Sequence, residues 1–169
     1  MSERAKLIDA AFPEAFCECQ SVSKFSPGVV SGGEYLHRFV FSPLHLHEGE
    51  VLPALFSDVR DKGLSCERGL SLDIERETHE RGRKQAELYN ETKPDDKPKR
   101  VYVGSVSANC GIVRALVMNN HRLLAVYDTA LEANVAHSDV FEIAGRTNSE
   151  RKQARKDIAD AFSKVPVDR

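Results

Sequence analysis

Apolar residues recur at two different spacings along the chain, and these spacings separate predicted strands from predicted helices. In residues 35–41, both alternating sets of positions carry bulky apolar side chains, which is typical of a strand buried on most of both faces. Shorter apolar runs predict further strands at 64–66, 101–106, 123–127 and 140–143. The sequence therefore predicts a sheet of several short strands.

Two segments show the spacing of amphipathic helices. Residues 52–62 have apolar positions at helical spacing, Pro53 in the tolerated first turn, and Gly63 placed to end the helix. Residues 150–164 have a similar stripe, a cap at Asn148 or Ser149, and Pro166 as a stop. A further helix is predicted before residue 13. Because helices and strands interleave without a regular period, we expect a single α+β domain with a mixed or antiparallel central sheet and flanking helices.

The middle of the chain is highly charged. Sixteen of the twenty-eight residues from 73 to 100 carry a charge, and the first part, to about residue 90, could form a solvated helix. The part around 90–100 contains two prolines among charges, so it is predicted to be an exposed loop. We expect this loop to lie within one domain covering residues 1–169, because neither half alone would bury much core.

One segment remains ambiguous between helix and strand. Residues 112–118 could pair with 123–127 as a hairpin, since Asn119 and Asn120 tolerate the left-handed conformation of a tight turn. The segment could equally be a helix capped by Ser107. The sequence leaves the structure of residues 107–118 open.

The composition is that of an ordinary globular protein. The chain has 169 residues, of which 41% are hydrophobic and 30% charged. Its 24 basic and 26 acidic residues give a formal charge of −2, so the overall charge does not attract nucleic acid, although a local basic patch still could. No apolar run approaches the roughly 20 residues that cross a bilayer, and the N-terminus lacks an apolar signal core. We therefore expect a cytoplasmic protein without membrane contact.

The four cysteines form no recognisable ligand motif. Cys17 and Cys19 would share one face of a strand, whereas Cys66 and Cys110 are isolated, and the chain has no Cys-x-x-Cys pair. A domain of this size does not need disulfides for its stability. We expect reduced, mostly buried thiols.

Two histidines lie close to carboxylates between residues 41 and 52. His45 and His47 are two residues apart, so in an extended segment both imidazoles project to one side. The pair resembles the first histidine motif of cupins, but Glu50 begins a predicted helix where that motif continues into strands, and no later glycine–proline–histidine motif follows. We therefore predict no metal and no cofactor. The alternatives for His45 and His47 are an acid–base or phosphate-contacting role and a plain solvent-exposed loop.

A second histidine candidate lies far along the chain. His137 and Asp139 follow the predicted strand 123–127, in what the sequence predicts to be a loop. If that loop folds back, Asp128 could orient the imidazole of His137 as a carboxylate does in a catalytic triad. The alternative is a local turn in which Ser138 and Asp139 bond to the backbone.

The last predicted helix carries several cations on its exposed side. They could contact phosphate groups, but two aspartates follow and no aromatic residues interleave for base stacking. A solvated helix face is therefore the favoured interpretation. The residues concerned are Arg151, Lys152, Arg155 and Lys156.

These features support two hypotheses about function. The first is a binding or accessory module with a protein partner or a second copy of itself, because no complete catalytic motif is present and the charged segment suits partner contact. The alternative is a small histidine-dependent enzyme acting on a nucleotide or phosphoester, with Arg38 or Arg122 supplying positive charge. The enzyme hypothesis predicts that His45 or His47 lies within about 10 Å of His137 across one cleft.

Overall fold

A computed structural model describes residue 18 and residues 21–60, 62–70, 76–143 and 147–163 of the chain. The predicted N-terminal helix and the pair Cys17 and Cys19 lie outside these residues. All statements about the structure refer to the described part of the chain.

Five strands form one antiparallel sheet, which confirms the predicted α+β class. They are β1 (Tyr35–Ser42), β4 (Leu64–Gly69), β5 (Val101–Asn109), β8 (Leu124–Asp128) and β9 (His137–Glu142). Their order across the sheet is β5-β1-β4-β9-β8, and every neighbouring pair is antiparallel. The sheet therefore interleaves strands from the two halves of the sequence.

The last strand corrects one prediction. The sequence predicted a loop at 137–139 and a strand only from 140, whereas β9 begins at His137 and pairs with both β4 and β8. The first three residues of β9 are polar, so they lack the apolar pattern that predicts a strand. His137 and Asp139 thus lie on the sheet and not in a turn.

The region between β1 and β4 differs from the predicted helix 52–62. Two short strands, β2 (Leu46–His47) and β3 (Glu50–Val51), form a hairpin, and only Pro53–Val59 is helical, as a 3₁₀ helix. Gly63 does end this region, with a left-handed φ of +82°. An added side chain there would collide with the ring of Phe141, so glycine is required.

The helix α1 (Arg76–Glu91) and the irregular segment 92–100 agree with the prediction for the charged region. The ambiguous segment contains a short helix followed by a hairpin that is shorter than the predicted pairing of 112–118 with 123–127. A short helix α2 (Cys110–Arg114) is capped by Asn109 instead of Ser107, and a hairpin of β6 (Val117–Met118) and β7 (His121–Arg122) follows. Asn119 and Asn120 make its turn, with φ of 52° and 62°.

One face of the sheet carries the main core. The helix α3 (Asn148–Ala161) and the 3₁₀ helix pack on this core face, where Phe162 contacts Phe56 with ring centroids 5.1 Å apart. Ile158 and Phe162, which belong to the predicted apolar stripe of residues 150–164, are buried. The cap of α3 is Thr147, however, and not Asn148 or Ser149.

The helix α1 covers part of the opposite face. A register shift between β1 and β5, at Gly104 with φ of +117°, turns Tyr102 to this side. Gly82 of α1 lies directly against the Tyr102 ring, and His79 Nδ1 is 2.8 Å from the Tyr102 hydroxyl. The helix is thereby held over β5 and β1, and the middle of the sheet beside it is left open.

Candidate functional site

A row of ionisable side chains crosses three neighbouring strands on the face beside α1. His37 of β1 lies directly opposite Glu67 of β4, and Glu67 lies directly opposite His137 of β9. Directly paired residues project to the same face, so the three side chains are neighbours. Two strand spacings separate the two histidine backbones, which is roughly 10 Å. All three residues are less than 8% exposed.

His137 is oriented by a chain of hydrogen bonds that ends on a carboxylate. The Thr129 hydroxyl donates to Asp139 Oδ2 at 2.8 Å and lies 2.9 Å from His137 Nδ1. Because its single proton is given to Asp139, the hydroxyl can only accept from the imidazole. Nδ1 therefore carries a proton and Nε2 is the basic nitrogen of the neutral ring. Asp139 is fully buried, and Ser65 donates to its other oxygen at 3.0 Å.

His37 and Glu67 are held by different partners. His37 Nδ1 lies 2.7 Å from the hydroxyl of Ser107, its cross-strand neighbour in β5. Glu67 accepts hydrogen bonds from Arg81 of α1 at 2.8 and 3.1 Å and from Asn134 at 2.5 Å. The arginine neutralises the carboxylate, which makes its burial tolerable.

The row forms part of the wall of a cleft of about 420 Å³ between the sheet and α1. We refer to it as the histidine cleft. Phe39, Phe41 and Leu88 give it an apolar side, and Leu88 is 53% exposed at its mouth. Among its described lining residues are the cations Arg38, Arg81 and Lys84, and Glu67 is the one carboxylate. The cleft combines an apolar wall, two imidazoles, the ion pair of Arg81 with Glu67 and the cation Lys84.

Next to Glu67 on β4, Cys66 carries a thiol that packs in the main core and is chemically inert. Burial raises the pKa of Cys66 to about 12, so at neutral pH the sulfur stays protonated and is a poor nucleophile. Cys110 lies outside the cleft, and burial raises its pKa to about 11. Neither Cys66 nor Cys110 forms a disulfide bond.

The two histidines that stand out in the sequence lie elsewhere. His45 is buried against Phe41, with ring centroids 5.8 Å apart, and His47 is exposed in β2, opposite Glu50. Neither belongs to the lining of the histidine cleft. The histidine that lies across the cleft from His137 is His37.

The predicted anion-binding arginines divide in the same way. Arg38 lines the cleft, but its guanidinium donates to the Ser65 carbonyl at 2.9 Å and lies 3.5 Å from Asp58. Burial lowers the pKa of Arg38. Arg122 is ion-paired with Glu18 and does not line the cleft.

The carboxylate expected beside His137 also differs from the prediction. Asp128 lies directly opposite Ser138 and accepts a hydrogen bond from the backbone of Ala130 at 3.1 Å. Asp139, two residues beyond His137, takes the orienting role through Thr129. The predicted carboxylate–imidazole pairing is thus made with another residue.

His37, Glu67 and Arg81 were not predicted from the sequence as site residues. His37 and Glu67 lie in short strands next to apolar residues, and a polar residue at alternate strand positions was the one pattern that could have indicated them. Arg81 could not be recognised, because it is one of many charges in α1. Register between distant strands decides which side chains meet, and no local pattern shows it.

Within the described ranges, no three His, Cys, Asp or Glu side chains cluster as metal ligands. In the same ranges, no helix has the length and apolar character needed to cross a membrane. The absence of a metal thus stays a prediction for the whole chain.

Comparisons of the chain with known protein families, with curated proteins and with solved structures found no match.

Proposed function

We propose that the histidine cleft binds a nucleotide or a related phosphoester and that His137 and His37 exchange protons with it. The observation that carries this proposal is the row of His37, Glu67 and His137 in the wall of the cleft. Ionisable side chains on a buried sheet face are less favourable for folding than apolar ones. Such groups gathered in a cleft are typical of a site with a chemical role.

In this proposal, His137 acts as the base. Its Nδ1–H is engaged by Thr129, so Nε2 takes the proton from an attacking water or hydroxyl group. As that oxygen bonds to phosphorus, the bond from phosphorus to the leaving oxygen breaks, and His37 gives a proton to the leaving oxygen. Asp139 then stabilises the imidazolium of His137 through the Thr129 hydroxyl.

The lining of the cleft supports this ligand class. Lys84 makes no ion pair in the described part of the chain, and its charge together with that of Arg81 would offset the phosphoryl oxygens. Phe39, Phe41 and Leu88 offer an apolar surface to a base or another ring. An uncharged apolar ligand would make no charge-assisted contact with Lys84 or Arg81.

Turnover of a panel of nucleoside phosphodiesters, cyclic nucleotides and nitrophenyl phosphoesters tests the proposal. We expect His37→Asn and His137→Asn each to lower kcat at least about 100-fold, because each removes a proton-transfer group. Lys84→Gln should mainly raise KM. The exposed His121→Asn serves as the matched control and should keep full activity. Activity that survives both cleft substitutions would contradict the assignment.

A second measurement needs no substrate. Nitrogen-15 NMR of the imidazoles should show the Nδ1–H tautomer for neutral His137. Thr129→Val, which removes the bridging hydroxyl, should change that tautomer equilibrium, and Thr129→Ser should restore it. An unchanged spectrum in Thr129→Val would show that the hydroxyl does not orient the ring.

The second candidate function is binding of a protein partner without catalysis. Three exposed apolar side chains on segments near the end of β4 favour it: Leu70 (89% exposed), Val135 (52%) and Val29 (42%). Arg68 of β4 donates to the carbonyls of Val29 and Ala136, so these segments are neighbours. Exposed apolar groups on neighbouring segments are typical of interaction surfaces.

Mass measurement in solution at several concentrations, together with affinity capture, distinguishes this candidate. If it holds, Leu70→Ser should abolish association, whereas Leu44→Ser, at a separate exposed site, should not. A monomer that captures no partner and turns over a phosphoester would rule out a purely accessory role.

A further inference from the structure

A second cavity lies on the core-face side of the sheet and is surrounded by cations. Its volume is about 400 Å³, and its walls come from the 3₁₀ helix, the end of β9 and the first turns of α3. Among the described residues that line it are Arg60, Arg151, Lys152 and Arg155, with Glu142 as the one carboxylate. We refer to it as the basic pocket. It shares no lining residue with the histidine cleft.

Several partly buried arginines in the described fold are paired with a carboxylate. Arg68 lies 2.6 Å from Glu34, and Arg81 lies 2.8 Å from Glu67. Hydrogen bonds from Arg68 and Ser31 outweigh the effect of burial and lower the pKa of Glu34, so that pair stays ionised at neutral pH. For these arginines the rule is a neighbouring carboxylate that balances the charge.

The cations of α3 depart from this rule. In the described ranges, Arg151, Lys152 and Arg155 take part in no ion pair. Arg151 Nη1 donates to the Asn148 side chain at 3.1 Å, while its Nε is buried and has no hydrogen-bond partner there. A buried donor without an acceptor is costly, and a bound anion would satisfy it.

The positive character comes from side chains and not from the end of the helix. The N-terminus of α3 is already closed by a capping box, in which Thr147 and Glu150 bind each other's backbone N–H groups. Arg151 and Arg155 lie one helical turn apart and repel each other, which weakens an isolated helix. An anion held between them would relieve that repulsion.

We propose that the basic pocket binds a small molecule with linked phosphate groups, such as a diphosphate. A guanidinium can bind phosphate oxygens in pairs, and two arginines one turn apart suit two linked groups. None of the described residues that line it is aromatic, so recognition would rest on the phosphates and not on a base. This proposal is independent of the function proposed for the histidine cleft.

Calorimetric titration with inorganic pyrophosphate tests the proposal. The double variant Lys152→Gln/Arg155→Gln should bind at least about tenfold more weakly than the unmodified protein, because it loses two charge-assisted contacts. The matched control Lys99→Gln/Lys156→Gln removes two exposed charges outside the pocket and should bind within about twofold of it. Thermal melts without ligand verify that each variant is folded.

A third variant, Lys84→Gln, separates the two sites. Because Lys84 lines the histidine cleft, its loss should leave pyrophosphate binding at the basic pocket intact. Binding lost in Lys84→Gln and kept in the pocket variant would assign the anion to the cleft and overturn the proposal. Equal weakening in the Lys99/Lys156 control, or binding of a single-stranded oligonucleotide but not of pyrophosphate, would overturn it as well.

Discussion

At the scale of single residues, His45 shows how burial turns a titratable group into a structural one. Its ring Nδ1 accepts the backbone N–H of Phe41 at 3.2 Å, and the backbone N–H of His45 donates to the Phe41 carbonyl at 2.8 Å. Burial, followed by the positive charges of Arg38 and Arg100, lowers the pKa of His45 to about 4. The ring is therefore neutral at pH 7 and closes the turn after β1.

This leads to a prediction about stability and pH. The unfolded chain takes up a proton at His45 near its ordinary pKa of 6.5, whereas the folded protein does so only near 4. The free energy of unfolding should therefore fall as the pH drops through that window, by about 1 to 3 kcal/mol from this residue. His45→Gln should remove that part of the pH dependence.

Urea denaturation at about pH 7 and about pH 5 measures the effect. The exposed His47→Gln is the matched control, and its free energy of unfolding should change between the two pH values as much as that of the unmodified protein. The same change in all three proteins would show that His45 takes up its proton equally in the folded and unfolded states.

The residue scale also shows why the site could be predicted only in part. The sequence indicated His137 and Asp139 as a pair, and the structure places them on one strand face joined through Thr129. The sequence also favoured His45 and His47, because they lie close together in the chain. The histidine on the same sheet face as His137 is instead His37. The two lie on either side of Glu67 because of the register of β1 on β4 and of β4 on β9. Long-range register has no local signature.

At the scale of elements, local pattern predicted α3 well because it has one apolar stripe at helical spacing, and β1 well because apolar residues occupy both of its faces. The helix predicted at 52–62 was correct only at Pro53–Val59, which form a 3₁₀ helix. The hairpin before it, with Glu48 and Gly49 at positive φ in its turn, was not predicted. The turn at Asn119 and Asn120 was predicted correctly from residue type. Short elements were thus predicted only where their turn residues were recognised.

The contact between α1 and β5 leads to a prediction at this scale. A methyl group at Gly82 would lie under 3.0 Å from three ring atoms of Tyr102. Alanine is a better helix former than glycine by about 1 kcal/mol, but overpacking costs about 1–3 kcal/mol. Gly82→Ala should therefore lower the free energy of unfolding by up to about 2 kcal/mol, although the same change in an exposed helix would raise it.

Chemical denaturation checks this, with Glu87→Ala as a control at an exposed position of α1. Combining Gly82→Ala with Tyr102→Leu should recover much of the loss in a double-mutant cycle, because the ring is then absent. Stabilisation by Gly82→Ala alone would mean that α1 is not held closely against β5.

At the scale of the whole molecule, the sheet joins the two halves of the chain. Two of its four strand interfaces, β5–β1 and β4–β9, pair a strand before the charged loop with one after it. Asn90 closes the base of that loop by donating to the Arg100 carbonyl at 2.8 Å and accepting from the Arg100 N–H at 2.7 Å. The loop should therefore be a connection within one cooperative unit.

The last prediction is that cutting this loop leaves the fold intact. Asp95 is fully exposed, so an endoprotease that cleaves before aspartate should cut there first. The two fragments should stay together in native mass spectrometry and separate in urea, because each lacks the strands that complete its part of the sheet. The nicked protein should still unfold in a single transition by far-UV circular dichroism and tyrosine fluorescence.

A fragment ending at residue 94, produced alone, should show no cooperative unfolding, since β1 and β4 would both lose a neighbouring strand. If that fragment unfolded cooperatively by itself, the first half would be a separate domain.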